Sequence, residues 1–265
     1  AALEFLRANT ATQGTDFGPV IAGAGGVIQS GTGTTILSGA NVYTGTTLVT
    51  AGTLQIGNGG TLGSVNVVSA LSVGSGGLLA FNRSDTLTQG TDFNSVISGA
   101  GGVIQMGSGT LLLLGSNTYT GATTVNGGIL QLGSGGTSGS LSGAGSISVG
   151  SGALFRFNRS DTIVQGTHFG GPISGVGSVV QAGNGTVVFT NANTYGGGTT
   201  INAGTLQLGN GGATGGLSGS GSLQVNVGGE LVFNRTNNIT QGTDFGPVIS
   251  GSGNVTQAGT GTTVL

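Results

Sequence analysis

One block of sequence returns at a fixed step of 76 residues. It reads Phe81-Asn82-Arg83-Ser84-Asp85 and runs on to Gln89-Gly90-Thr91-Asp92-Phe93. It returns as Phe157 to Phe169 and again as Phe233 to Phe245, and a divergent copy with Phe5, Arg7, Gln13 and Phe17 opens the chain. Gln13, Gln89, Gln165 and Gln241 keep the same step, as do Tyr43, Tyr119 and Tyr195. Such a period constrains the fold more than any other feature. A unit that recurs unbroken buries its apolar side chains against its neighbours, so the chain reads as a quasi-one-dimensional array. The expected organisation is one continuous solenoid over residues 1–265, cut from a longer array. Its units are 5–80, 81–156 and 157–232, with a partial unit at 233–265.

The segments between turns choose the kind of array. In the second unit, Val103-Ile104-Gln105, Leu111 to Leu114, Thr123-Thr124-Val125, Ile129 to Leu132 and Ile147-Ser148-Val149 are short, rich in Val, Ile, Leu and Thr, and closed by Gly, Asn or Ser. That is the grammar of strands and tight turns. Glycine recurs too often for a helix to persist. About eight or nine strands per unit, three to a coil, predict about three coils per unit with parallel strands stacked ~4.8 Å apart. Like residues at like positions are then expected to form ladders.

Composition excludes several alternatives. There are 61 glycines but only three prolines and no Gly-X-Y period, so this is not collagen. A hydrophobic fraction of 35% with only 5% charged residues is the reverse of a disordered chain. The basic residues are Arg7, Arg83, Arg156, Arg159 and Arg235, too few and too scattered to hold a phosphate backbone, so nucleic acid is not an expected partner. No cysteine is present, which removes disulfides and thiolate metal sites. No stretch is apolar for long enough to cross a bilayer as a helix. A net charge of −2 over this length gives little repulsion between copies. Self-association, end to end or lateral, is therefore expected.

Residues 109–133 carry a more specific pattern. They read Gly109-Thr110-Leu111, Gly115-Ser116-Asn117-Thr118-Tyr119-Thr120-Gly121, Thr123-Thr124-Val125 and Gly128-Ile129-Leu130-Gln131-Leu132-Gly133. Further copies run from Gly33 to Gly57 and from Gly185 to Gly209, and another begins at Gly261. This pattern resembles the autotransporter-associated β-strand repeat, or passenger-associated transport repeat. Val42, Asn191 and Gly196 depart from it, and the Phe-Asn-Arg block lies outside it. The resemblance implies an all-β, right-handed parallel β-helix, secreted and presented outside a Gram-negative-type cell. It brings no catalytic residues with it.

Candidate sites are few. The series Arg7, Arg83, Arg159 and Arg235, with Asp85 and Asp161 two residues after their arginines, suggests a ladder of ion pairs that fixes register or binds a partner; Asn9 and Asn237 stand in for the acids at the two ends. Asp16, Asp92 and Asp244 have His168 at the equivalent place, read as a surface replacement with no nucleophile beside it. No catalytic, cofactor or metal residues are expected. The reading is an extracellular structural repeat protein, a β-helical filament, stalk or adhesin shaft on a bacterial surface. The alternative is an adhesin module that holds a glycan or surface receptor through repeated Arg, Asn and Tyr ladders.

Overall fold

The computed structural model describes residues 1–18, 20–65, 70–93, 96–143, 145–219 and 221–265. Among them there is no helix, and every pairing between strands is parallel. The chain winds as a β-solenoid. Thr86–Thr88, Ile97–Ser98 and Gly102–Gln105 make one coil, after which Thr110–Leu113 stacks back on Thr86–Thr88 with Thr110 over Thr86. Three strands therefore occupy three faces of each coil.

Among the described residues the second unit holds ten strands, from Thr86–Thr88 to Leu154–Phe157. The two that the sequence conceals are Ser116–Asn117 and Ser140–Leu141, each two residues long and written largely in turn residues. Ten strands on three faces leave one over, so about three coils per unit becomes three and a third. Strand order bears this out. Thr86–Thr88 belongs to a column that continues through Thr110–Leu113, Ile129–Leu132, Leu154–Phe157 and Ser178–Gln181. Its equivalent one unit later, Thr162–Val164, starts on another face beneath Thr186–Phe189 and Gly204–Gly212. Each unit is thus turned by a third of a revolution relative to the last.

The core follows from strand alternation. Thr110–Leu113 and Ile129–Leu132 bury every second residue. The buried column includes Leu111, Leu113, Leu130, Leu132, Phe155 and Phe157. The Phe-Asn-Arg block closes on itself. Its two phenylalanines, 12 positions apart, pack with ring centroids at 4.9 Å (Phe5–Phe17), 5.2 Å (Phe81–Phe93), 4.8 Å (Phe157–Phe169) and 5.3 Å (Phe233–Phe245). Burying such a ring is worth ~1.5–3 kcal/mol, so each block adds a paired aromatic anchor to the common core.

Glycine is needed where adjacent coils approach most closely. A Cβ on Gly109 would fall on the carbonyl oxygen of Asp85 in the coil beside it. Gly90 takes φ +95° in the turn that returns the chain to Phe93, a conformation other residues rarely adopt.

Candidate functional site

The repeated polar residues divide into two groups, one inside the coil and one at its corners. Inside, the Gln of the Phe-Asn-Arg block meets the Asn of the Asn-x-Tyr motif 28 residues later. Gln89 Nε2 donates to Asn117 Oδ1 at 2.9 Å, and Asn117 Nδ2 returns a bond to Gln89 Oε1 at 3.2 Å. Gln89 Oε1 also accepts from the Gly115 N–H at 2.7 Å, and Asn117 Oδ1 from the Ile97 N–H at 3.0 Å. The lock recurs as Gln13–Asn41 and Gln165–Asn193. All six side chains are buried. They satisfy backbone groups that the two-residue strands leave unpaired.

Tyr43, Tyr119 and Tyr195 are equally internal. Each hydroxyl lies 2.6 Å from the Oγ1 of the threonine four residues on, namely Thr47, Thr123 and Thr199. Burial pushes the Tyr43 hydroxyl up to about 12 and raises Tyr119 and Tyr195 likewise, with the threonine bond opposing the shift. The alternative reading of the sequence puts tyrosines and asparagines on a binding ladder. The Asn-x-Tyr pair instead faces the core in every unit, because odd and even positions of these short strands point to opposite sides.

The arginines sit at corners. The Arg83 Nε and Nη2 donate to the Asp85 carboxylate at 2.8 and 2.6 Å, and Nη1 donates to the Gly63 carbonyl at 3.0 Å. Arg159 repeats this with Asp161 and the Gly139 carbonyl. The guanidinium side chains are 11% and 7% exposed, their acids 37% and 35%. Donation by the arginine, reinforced by its charge, holds Asp85 and Asp161 below the usual carboxylate value. The last glycine of the repeat motif makes room for this. A Cβ on Gly57 or Gly133 would meet the Arg83 or Arg159 Cγ at 2.6 Å.

At the end units an amide replaces the acid. Arg7 Nε donates to Asn9 at 3.0 Å and Arg235 Nε to Asn237 at 3.0 Å. Arg235 also donates to the Gly215 carbonyl at 3.1 Å and the Ala213 carbonyl at 2.8 Å. The four arginines do not stack as the expected ladder. The third-of-a-turn offset sends Arg83 and Arg159 to two other corners. Arg7 and Arg235 return to the same corner ten coils apart. At ~4.8 Å per coil that is a separation of about 48 Å.

The aspartates of the Gln-Gly-Thr-Asp turn accept from a backbone N–H four residues earlier: Thr12 to Asp16 at 2.7 Å, Thr88 to Asp92 at 2.6 Å and Thr240 to Asp244 at 3.0 Å. His168 does the same through Nδ1, which accepts from the Val164 N–H at 3.1 Å. The replacement therefore conserves an acceptor, a role imidazole fills through an unprotonated nitrogen. The Gln partner was the residue that motif reading undervalued. Its one signal was that it kept the 76-residue step.

Comparison with known proteins agrees with this geometry. The family model described as the passenger-associated-transport-repeat matches residues 27–56, 103–132 and 179–208. Each match starts six residues before the glycine that opens the motif, so it takes in the Val-Ile-Gln strand as well. The chain is also similar to the adhesin BmaC autotransporter of Brucella suis biovar 1 (strain 1330), 36% identical over 286 residues. That alignment covers 85% of this chain and 8% of the relative, so the chain spans a small part of that protein's length. No solved structure matches. One match in each of the three complete units, always on the same strands of a parallel solenoid, shows that this chain carries three passenger-associated-transport repeats.

Proposed function

We propose that this chain forms part of the shaft of an extracellular bacterial adhesin, an autotransporter passenger whose repeats act mechanically and not as an enzyme. The observation that carries the reading is where the repeated polar residues spend their bonds. Gln, Asn and Tyr of each of the three complete units are consumed inside the coil, and Arg83 and Arg159 are neutralised by their own acids. What recurs therefore supports stacking. The similarity to an adhesin autotransporter supports a place on the outer surface. The three complete units would run as one continuous rod of three and a third coils each, with the partial fourth unit stacked on its end.

The test is electron microscopy of cells producing the full-length protein, with this segment marked by an antibody. Rods projecting from the surface, shortened by about 16 Å when residues 81–156 are deleted, are the expected result. Marker confined inside the cell, or a length unchanged by the deletion, would sink the proposal. The same images read lateral or end-to-end association as bundles or as rods longer than one chain.

A further inference from the structure

The corner at Arg235 differs from those at Arg83 and Arg159 in charge and in shape. Asn237 occupies the place of Asp85 and Asp161, so the guanidinium has a hydrogen-bond acceptor but no counter-charge there. Beside it opens a groove of about 330 Å³, whose polar lining is Arg235, Thr214, Ser218, Thr243 and Asp244. The Asp244 carboxylate is oriented by the Thr240 N–H on Oδ2. Among the described residues no ion pair joins it to Arg235. Asn237, Gly215 and Ala213 take one N–H from each guanidinium nitrogen, so two of the five donors remain, and they share the groove with the Asp244 acceptor without satisfying it, beside hydroxyls that can do either. The rest of the wall is Ala192, Ala213, Gly215 and Gly216, which let a ligand approach the backbone closely.

We propose that this groove binds a neutral sugar residue through adjacent hydroxyl groups. A sugar offers donors and acceptors on neighbouring carbons, which matches a guanidinium and a carboxylate held apart. The balanced pair gives an anion or a cation no net attraction, since whichever charge one side draws the other repels. The volume lies at the small end of ligand pockets, on the order of 300–1,000 Å³, which suits one or two sugar units. The groove is walled by residues of the third unit and closed by Arg235, Thr243 and Asp244 of the fourth, and it is not a property of every repeat. In the second and third units the arginine is closed by Asp85 or Asp161, and His168 takes the place of Asp244 in the third. The shaft reading stands whether or not this groove is filled.

The test is an amide NMR titration of the whole 265-residue chain. The probes are glucose, galactose, mannose, fucose, N-acetylglucosamine and N-acetylgalactosamine, with glucuronate and inorganic phosphate as charged comparators. At least one neutral sugar is expected to shift the amides of Thr214, Ser218, Thr243 and Asp244, with Kd on the order of 1–10 mM. Arg235→Gln should weaken that binding at least about tenfold, equivalent to ~1.4 kcal/mol. Asn237→Asp should weaken it comparably while the chain unfolds at no lower temperature, because it reproduces the closed corner of the other units. No shift at these amides with any neutral sugar at about 100 mM, ten times that Kd, overturns the proposal. So does binding that both variants leave intact. Tighter binding of glucuronate or phosphate than of every neutral sugar would make the groove an anion site and overturn the sugar assignment.

Discussion

The buried lock at Gln89 and Asn117 and the outward-facing corner at Arg83 recur with the same 76-residue step, yet their histories along the chain differ. The lock is the same in three units, down to which oxygen accepts which N–H. The corner changes: an acid at 85 and 161, an amide at 9 and 237. A lock is completed between neighbouring coils and faces the axis, so turning a unit by a third of a revolution leaves its surroundings unchanged. A corner faces outward, and the same turn gives each copy a different side of the rod. Inside, every unit meets the same demand; outside, each is free to diverge.

The largest effect that separates the two comes from removing one unit. Deleting residues 81–156 should leave the remaining locks intact. It should bring Arg7 and Arg235 from about 48 Å apart on one corner to about 32 Å apart on different corners. Distance measurement between spin labels at positions 7 and 235 reads this. A separation consistent with a whole number of coils and a shared corner would refute the third-of-a-turn offset.

Next in size is the lock. Asn117→Leu takes the acceptor from the buried Ile97 N–H, at roughly 1–3 kcal/mol for that unpaired group, and removes both of the bonds Gln89 makes to Asn117. Chemical denaturation should show the loss, and Gln89→Leu combined with it should cost less than the sum of the two single changes. Strict additivity would mean the two side chains do not act together.

Tyr119→Phe is smaller, about 1–2 kcal/mol, because it leaves only the Thr123 hydroxyl unpartnered. It also carries a pH signature. A buried tyrosine whose hydroxyl is raised keeps its proton while the unfolded chain begins to lose its own near pH ~10. Stability is therefore full below that pH and falls above it; for Tyr43 the fall ends near its folded value of about 12. Replacing all three tyrosines with phenylalanine should flatten the alkaline slope of the unfolding midpoint.

The smallest effect belongs to the corner. Asp161→Asn copies the natural state of the fourth unit and should cost less than about 1 kcal/mol, as partly exposed ion pairs do. Asp161 is depressed in the folded chain, so its contribution is present above the ordinary carboxylate value and vanishes as pH falls through the lowered one. The variant should differ from the parent at neutral pH and converge with it in acid. A difference that persists in acid would show that the residue acts by something other than its charge.

Much of this was legible in the sequence because the chain repeats itself. The 76-residue step, the strand-and-turn grammar of Thr123–Val125 and Ile129–Leu132, and the passenger-repeat motif fixed a parallel solenoid with apolar residues stacked inside. Strand alternation and the need of each unit for a neighbour leave little other choice. Tertiary structure alone decided the rest. Ser116–Asn117 and Ser140–Leu141 carry no strand signal of their own, since their pairing comes from coils already in place. Those two strands raise the count to ten, and ten does not divide by three. From that remainder follow the turning of each unit and the dispersal of the arginines to three corners. A sequence period counts residues, whereas a face is set by how many strands close a coil, and only stacking determines that number.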